Sequence, residues 1–170
     1  VDIQQAGAIE AFDRGDMDVF PSYVINEPLL MEARGVPVHV LRPEDYNVRF
    51  YSDTIVTSTT YLQSRRDVVI RFLRATRRGW EEASRDPAVA IESMYTQSRA
   101  VSRDASARAH QVRMLNVVVD NLRVGSAPLL DMDRARCEAM EADLVATGRL
   151  PRSDSVSTLC DFAVAHEARK

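Results

Sequence analysis

The stretch Val48-Arg49-Phe50-Tyr51-Ser52-Asp53-Thr54-Ile55-Val56-Thr57 divides the chain into two kinds of sequence. It alternates with period two, the pattern of an extended strand with two distinct faces. Val48, Phe50, Ser52, Thr54 and Val56 share one face; Arg49, Tyr51, Asp53, Ile55 and Thr57 share the other. Upstream of it, short helical and extended segments alternate. Residues 36–41 are a short apolar strand followed by the turn Arg42-Pro43-Glu44-Asp45. Before that, Asn26-Glu27-Pro28 has the composition of a helix start: Asn at the N-cap, an acidic residue in the first turn, and Pro where its missing N–H costs nothing. That helix runs through Leu29, Leu30 and Met31 and stops at Gly35. Residues 16–20 alternate polar and apolar, and Ile9 and Phe12 mark a short helical face ending at Gly15. Strands separated by short helices predict a βαβ unit with a parallel sheet.

Downstream of residue 58 the spacing turns helical almost to the end. Val69, Phe72, Leu73, Thr76, Trp80 and Ala83 recur along 67–85 as an inward stripe. Asp86-Pro87 opens a second helix through Ile91 and Met94. Residues 104–122 form a third, with Val112, Leu115, Val118 and Val119 inward. A fourth spans 131–148, with Met132, Ala135, Ala139, Met140, Leu144 and Val145 inward, and ends at Leu150-Pro151. The predicted fold class is therefore α/β, with two parts: 1–57 as the later portion of one α/β lobe and a crossover strand, and 58–170 as a helical portion completing the other lobe. So small a sheet leaves raw edges. Either residues preceding Val1 or a second copy in a homodimer is expected to cover them.

Composition narrows the function classes. With 170 residues and 45% apolar content the chain can build a sizeable core. No run approaches the ~20 apolar residues of a membrane span, and no basic-then-apolar leader opens the sequence. A net charge of −3 argues against a nucleic-acid partner. Of 22 Lys+Arg residues only Lys170 is lysine, which leaves little scope for Schiff-base catalysis. Cys137 and Cys160 cannot form a disulfide framework or a four-sulfur site and read as ordinary thiols. His39, His110 and His166 have no partner at metal-ligand spacing and read as surface or partly buried histidines. No nucleophile elbow, phosphate loop or dinucleotide fingerprint occurs. The expectation is a protein without catalytic residues, metal or cofactor.

Two places could hold a ligand. Tyr23, Asn26 and Glu27 follow a predicted strand and open a helix, where α/β proteins bind small molecules; capping alone would also account for Asn26 and Glu27. Tyr51 and Asp53 lie two apart on one strand face, a ring and a carboxylate suited to a polar heteroaromatic ligand, or else an ordinary solvated face. These five residues are expected to converge on one cleft. The arginines Arg65, Arg66, Arg71, Arg74, Arg77 and Arg78 could bind phosphate, but Glu81 and Glu82, four residues after Arg77 and Arg78, favour a solvated helix face.

The same residues carry a resemblance. Phe12-Asp13-Arg14-Gly15-Asp16-Met17-Asp18-Val19-Phe20 followed by Tyr23-Val24-Ile25-Asn26-Glu27-Pro28 resembles the "small helix, G-x-hydrophobic-D-A, N-E-P" segment of the thiamine-pyrimidine-precursor type of periplasmic solute-binding protein, related to the nitrate, sulfonate and taurine binders. Arg42-Pro43 and Tyr46 with Phe50-Tyr51-Ser52-Asp53-Thr54 resemble its "R-x-x-D-Y-G-x-x-F-Y-x-D-T" stretch, with Asn47 in place of glycine. The run from Arg71 to Trp80, with Asp86-Pro87 and Ala90, is similar to its "R-F-L-R-A-x-x-R-G-W…N-P-E-x-A" helix, and Met132-Asp133 and Gly148-Arg149-Leu150-Pro151 to its end. The resemblance implies roughly the C-terminal half of a two-lobed type II periplasmic-binding fold that captures a small, thiamine-pyrimidine-like solute without covalent chemistry. It implies an extracytoplasmic location and an ABC transporter permease as partner, with membrane association through that partner or an anchor outside this chain. A ligand-sensing domain fused to a membrane signalling protein is the alternative. Fungal pyrimidine synthases share the fold, but resemble enzymes with pyridoxal phosphate and a cysteine cluster, which this sequence lacks.

Overall fold

The structure, a computed structural model, describes residues 8–98, 103–122, 129–151 and 155–170. These residues form nine α-helices: α1 (Ala8–Asp13), α2 (Glu27–Ala33), α3 (Thr59–Ser64), α4 (Arg66–Arg85), α5 (Pro87–Gln97), α6 (Ala105–Leu122), α7 (Arg134–Ala146), α8 (Ser155–Leu159) and α9 (Phe162–Glu167), with a 3-10 turn at Pro43–Tyr46. None of them is long and apolar enough to cross a membrane.

Helix boundaries follow the local chemistry. Gly15 and Gly35 sit at φ 76 and 73, where only glycine is unstrained. Around Gly35 the N–H of Val36 bonds the Met31 carbonyl and that of Gly35 the Glu32 carbonyl, both at 3.0 Å, closing the last turn of α2. Asp86 caps α5 by accepting from the Val89 N–H at 3.1 Å, and Asp133 caps α7 by accepting from the Arg136 N–H at 2.7 Å.

The predicted strands do not form. Residues 16–20, 36–41 and 48–57 contain no strand, and the described residues contain none anywhere. Alternation prepares two faces, but a strand exists only when a second strand completes its ladder. At residues 49–51 helix α7 meets three backbone groups instead: the Tyr51 N–H points at the Met140 Sδ at 3.3 Å, and the Arg136 guanidinium donates to the carbonyls of Arg49 (3.1 Å) and Phe50 (2.7 Å). Val48, Phe50, Ile55 and Val56 remain exposed, Val56 at 84%. The observed architecture is helix-rich, and the α/β expectation stands uncorroborated by it.

The described residues divide between two compact units, Val1–Val40 with Ala83–Asn121, and Leu41–Glu82 with Leu122–Lys170. In the first, Met31, Ile91 and Tyr95 are buried, and the Arg103 and Arg108 guanidiniums lie over the Tyr95 ring, 5.9 and 5.2 Å from its centroid. Val112, Leu115, Val118 and Val119 of α6 are half-buried, as their spacing predicts. In the second, Ile70 of α4 packs with Val164 and Ala168, flanked by Leu62, Val69 and Leu73. Phe72 departs from its predicted inward place and is 56% exposed, Trp80 is half-buried, and Ile70 is the buried member of α4. The inward face of α7 is likewise rotated: Cys137 is buried while Ala135 and Ala139 are exposed. Burial, with Cys160 alongside adding to it, pushes the Cys137 thiol up to about 11, so it stays protonated and inert at neutral pH.

Candidate functional site

The start of α2 in the first unit is where polar side chains join. Asn26 occupies the N-cap position, and its carbonyl accepts the first intrahelical bond from Leu30 at 3.1 Å, but its side chain caps nothing. Glu27 instead ties down the turn that precedes the helix, its Oε2 accepting from the Tyr23 N–H at 3.1 Å. Its Oε1 accepts from the Asn26 Nδ2 at 3.0 Å, and the Asn26 Oδ1 lies 3.1 Å from the His110 Nε2. An ionised carboxylate only accepts, so the Asn26 group beside it is the amide N–H. Its oxygen then faces His110 and requires a proton on Nε2. Burial lowers the His110 pKa, and the nearby Arg113 charge lowers it further, so the ring is neutral at pH 7. In that tautomer Nδ1 carries a bare lone pair. Nδ1 is buried and meets no hydrogen-bond partner among the described residues.

Of the five predicted residues, the structure therefore brings Tyr23, Asn26 and Glu27 together and adds His110. Sequence reasoning set His110 aside for want of metal-ligand spacing. A usable signal was present: His110 stands at i−4 and i−7 from Met114 and Val117, half-buried apolar residues of α6, so it is a titratable group on an inward stripe.

Tyr51 and Asp53 belong to the second unit. The Tyr51 hydroxyl accepts from the Asp133 N–H at 2.8 Å, and the Arg136 guanidinium lies over its ring, 4.4 Å from the centroid. Asp53 is exposed and makes no ion pair among the described residues. The partners Asp133 and Arg136, three apart at the start of α7, escaped sequence reasoning because nothing local ties them to residue 51. No group of three or more His, Cys, Asp or Glu among the described residues could hold a metal ion.

A family model described as "NMT1/THI5 like" matches residues 1–90, just over half of the chain. The chain belongs to the NMT1/THI5-like family. Both predicted ligand segments fall inside the matched region, and so does the run Arg71–Trp80 on which the resemblance also rests; the motifs at Met132-Asp133 and Gly148–Pro151 lie beyond it. No curated protein and no solved structure matches the chain. Membership of the NMT1/THI5-like family is consistent with a solute-binding role and with thiamine-precursor chemistry as its theme.

Proposed function

We propose that this chain binds a small polar heteroaromatic solute of the thiamine-pyrimidine type, without covalent chemistry, as part of an extracytoplasmic receptor that delivers it to an ABC permease. The observation that carries the proposal is the chain Tyr23–Glu27–Asn26–His110, which ends on an unpartnered acceptor, the His110 Nδ1. An aminopyrimidine presents N–H donors and ring-nitrogen acceptors, the complement of such a set. The Tyr23 ring, 54% exposed, offers a stacking surface. Tyr51 and Asp53 are proposed separately as solute-contacting residues. As part of this proposal, residues 1–57 are the later portion of one lobe of a type II periplasmic-binding fold with its crossover strand, and residues 58–170 are a helical portion completing the other lobe.

Native mass spectrometry of the protein purified without refolding, followed by calorimetric titration with an aminopyrimidine, tests it. The expected result is a co-purified small molecule released on denaturation, and saturable aminopyrimidine binding that Asn26→Ala weakens by about tenfold or more. Neither a bound mass nor any heat with the pyrimidine would overturn it. Turnover of the bound molecule into a new product would replace it with a synthase.

A further inference from the structure

In the second unit a groove of about 500 Å³ runs between α4 and the residues following α9. Arg71, Arg74, Arg77, Arg78 and Glu81 line one side and Arg169 the other. Positions 71, 74 and 78 fall on one helical face by their spacing. The expected neutralisation by Glu81 and Glu82 is only half realised. Arg77 Nε pairs with Glu81 at 3.0 Å, Arg71 with Asp67 at 2.9 Å, and Arg169 with Asp131. Arg78 makes no ion pair among the described residues. Arg74 donates only to the neutral Glu167 carbonyl, at 3.2 Å. The groove thus keeps two guanidiniums without a carboxylate.

Arg77 adds a second, separate sign. Its Nη1 is buried and meets no partner among the described residues. A guanidinium cannot shed its proton, so a buried unpaired N–H leaves a standing electrostatic cost that a nearby anion offsets. A phosphoryl group carries close to two negative charges at pH 7 and three acceptor oxygens, which matches two unneutralised forks. The volume exceeds a single oxyanion and lies in the range of small-molecule pockets, ~300–1,000 Å³. The remaining lining is Ala75 and Ala168, neutral surface for a ligand's body, and Lys170.

We propose that this groove binds a phosphate-bearing small molecule, its phosphoryl oxygens held by Arg74 and Arg78 and its charge favoured by the Arg77 guanidinium beside them. The site is independent of the solute-binding residues Tyr23, Asn26, Glu27, Tyr51 and Asp53. Calorimetric titration of the full chain with glycerol 3-phosphate and, separately, with inorganic phosphate reads it out. Saturable binding of one equivalent is expected, weakened by added salt, and weakened about tenfold or more in the double variant R74Q/R78Q. Both side chains are exposed, but Arg74→Gln also removes the bond to the Glu167 carbonyl, so unliganded melting temperatures are measured alongside. The single variant R78Q, which removes no ion pair among the described residues, is expected to keep that of the parent chain. Tighter binding of the monoester shows that the groove also holds the ligand's body; equal binding shows that it recognises the phosphoryl group alone. No saturable binding of either probe at millimolar concentration, or unchanged affinity in the double variant, would overturn the assignment.

Discussion

The two places that sequence marked for ligand contact differ in how their polar groups end. In the first unit, Glu27, Asn26 and His110 form a relay in which each donor has an acceptor until the last atom, where the His110 Nδ1 lone pair has no partner among the described residues. In the second, Tyr51 sits in a network that closes on itself. Its hydroxyl takes the Asp133 N–H, Asp133 caps α7, and the Arg136 side chain returns to the carbonyls of residues 49 and 50. A closed network holds backbone in place; an open one has capacity left for something else. By that measure the first place keeps an unused acceptor, while Tyr51 has a structural role.

The largest expected effect separates the two directly. Arg136→Ala removes two charge-assisted bonds to backbone carbonyls and the guanidinium over Tyr51. Thermal or urea unfolding should show a loss of about 2–3 kcal/mol, given ~1.5–3 kcal/mol for hydrogen bonds to charged groups discounted for partial exposure. Asn26→Ala, at the open relay, should cost less than half as much. If Asn26→Ala destabilises the protein more than Arg136→Ala, the contrast between an open and a closed network is wrong.

Tyr51→Phe sharpens the same contrast on one atom. It keeps the ring under Arg136 and deletes only the acceptor of the Asp133 N–H. A loss of about 1 kcal/mol in unfolding free energy is expected. No loss at all would mean that water replaces the hydroxyl without cost and that the oxygen is free to serve a ligand.

Much of this was legible from sequence, for physical reasons that can be named. Capping residues, glycines at positive φ and period-3.6 spacing are local, so the starts at Glu27 and Pro87 and the stops at Gly15 and Gly35 could be read from the chain itself. Family membership was legible too, because Asn26-Glu27-Pro28 and the run 50–54 are contiguous motifs within the matched segment. Strands were not legible: the alternation of 48–57 states which side chains share a face, but not what accepts the backbone hydrogen bonds. Here Arg136 and Met140, more than eighty residues away, take that part. Phe72 is exposed and Ile70, outside the expected stripe, is buried for a related reason, since the burial of α4 is decided by where Val164 and Ala168 lie. His110 was missed because its partner Asn26 is 84 residues distant.

The smallest effect expected is a pH dependence that belongs to His110 alone. Its pKa in the folded chain lies below the ordinary 6.5, through burial first and the Arg113 charge second. Between the two values the unfolded chain holds more protons than the folded one, so stability falls as pH drops below about 6.5 and is fully present above it. Protonation would place an N–H on the buried Nδ1, which has no acceptor among the described residues, and a positive charge near Arg113. Glu27, linked through Asn26, offsets part of that charge, and the half-buried ring retains some hydration, so the effect stays small. His110→Gln preserves an N–H for the Asn26 oxygen but does not titrate in this range. Melting temperatures of the parent chain should therefore decline between pH 7 and 5.5 more steeply than those of His110→Gln. Parallel curves would show that protonation costs nothing in the fold, so that water or an acceptor meets the new Nδ1 N–H and the end of the relay is not enclosed.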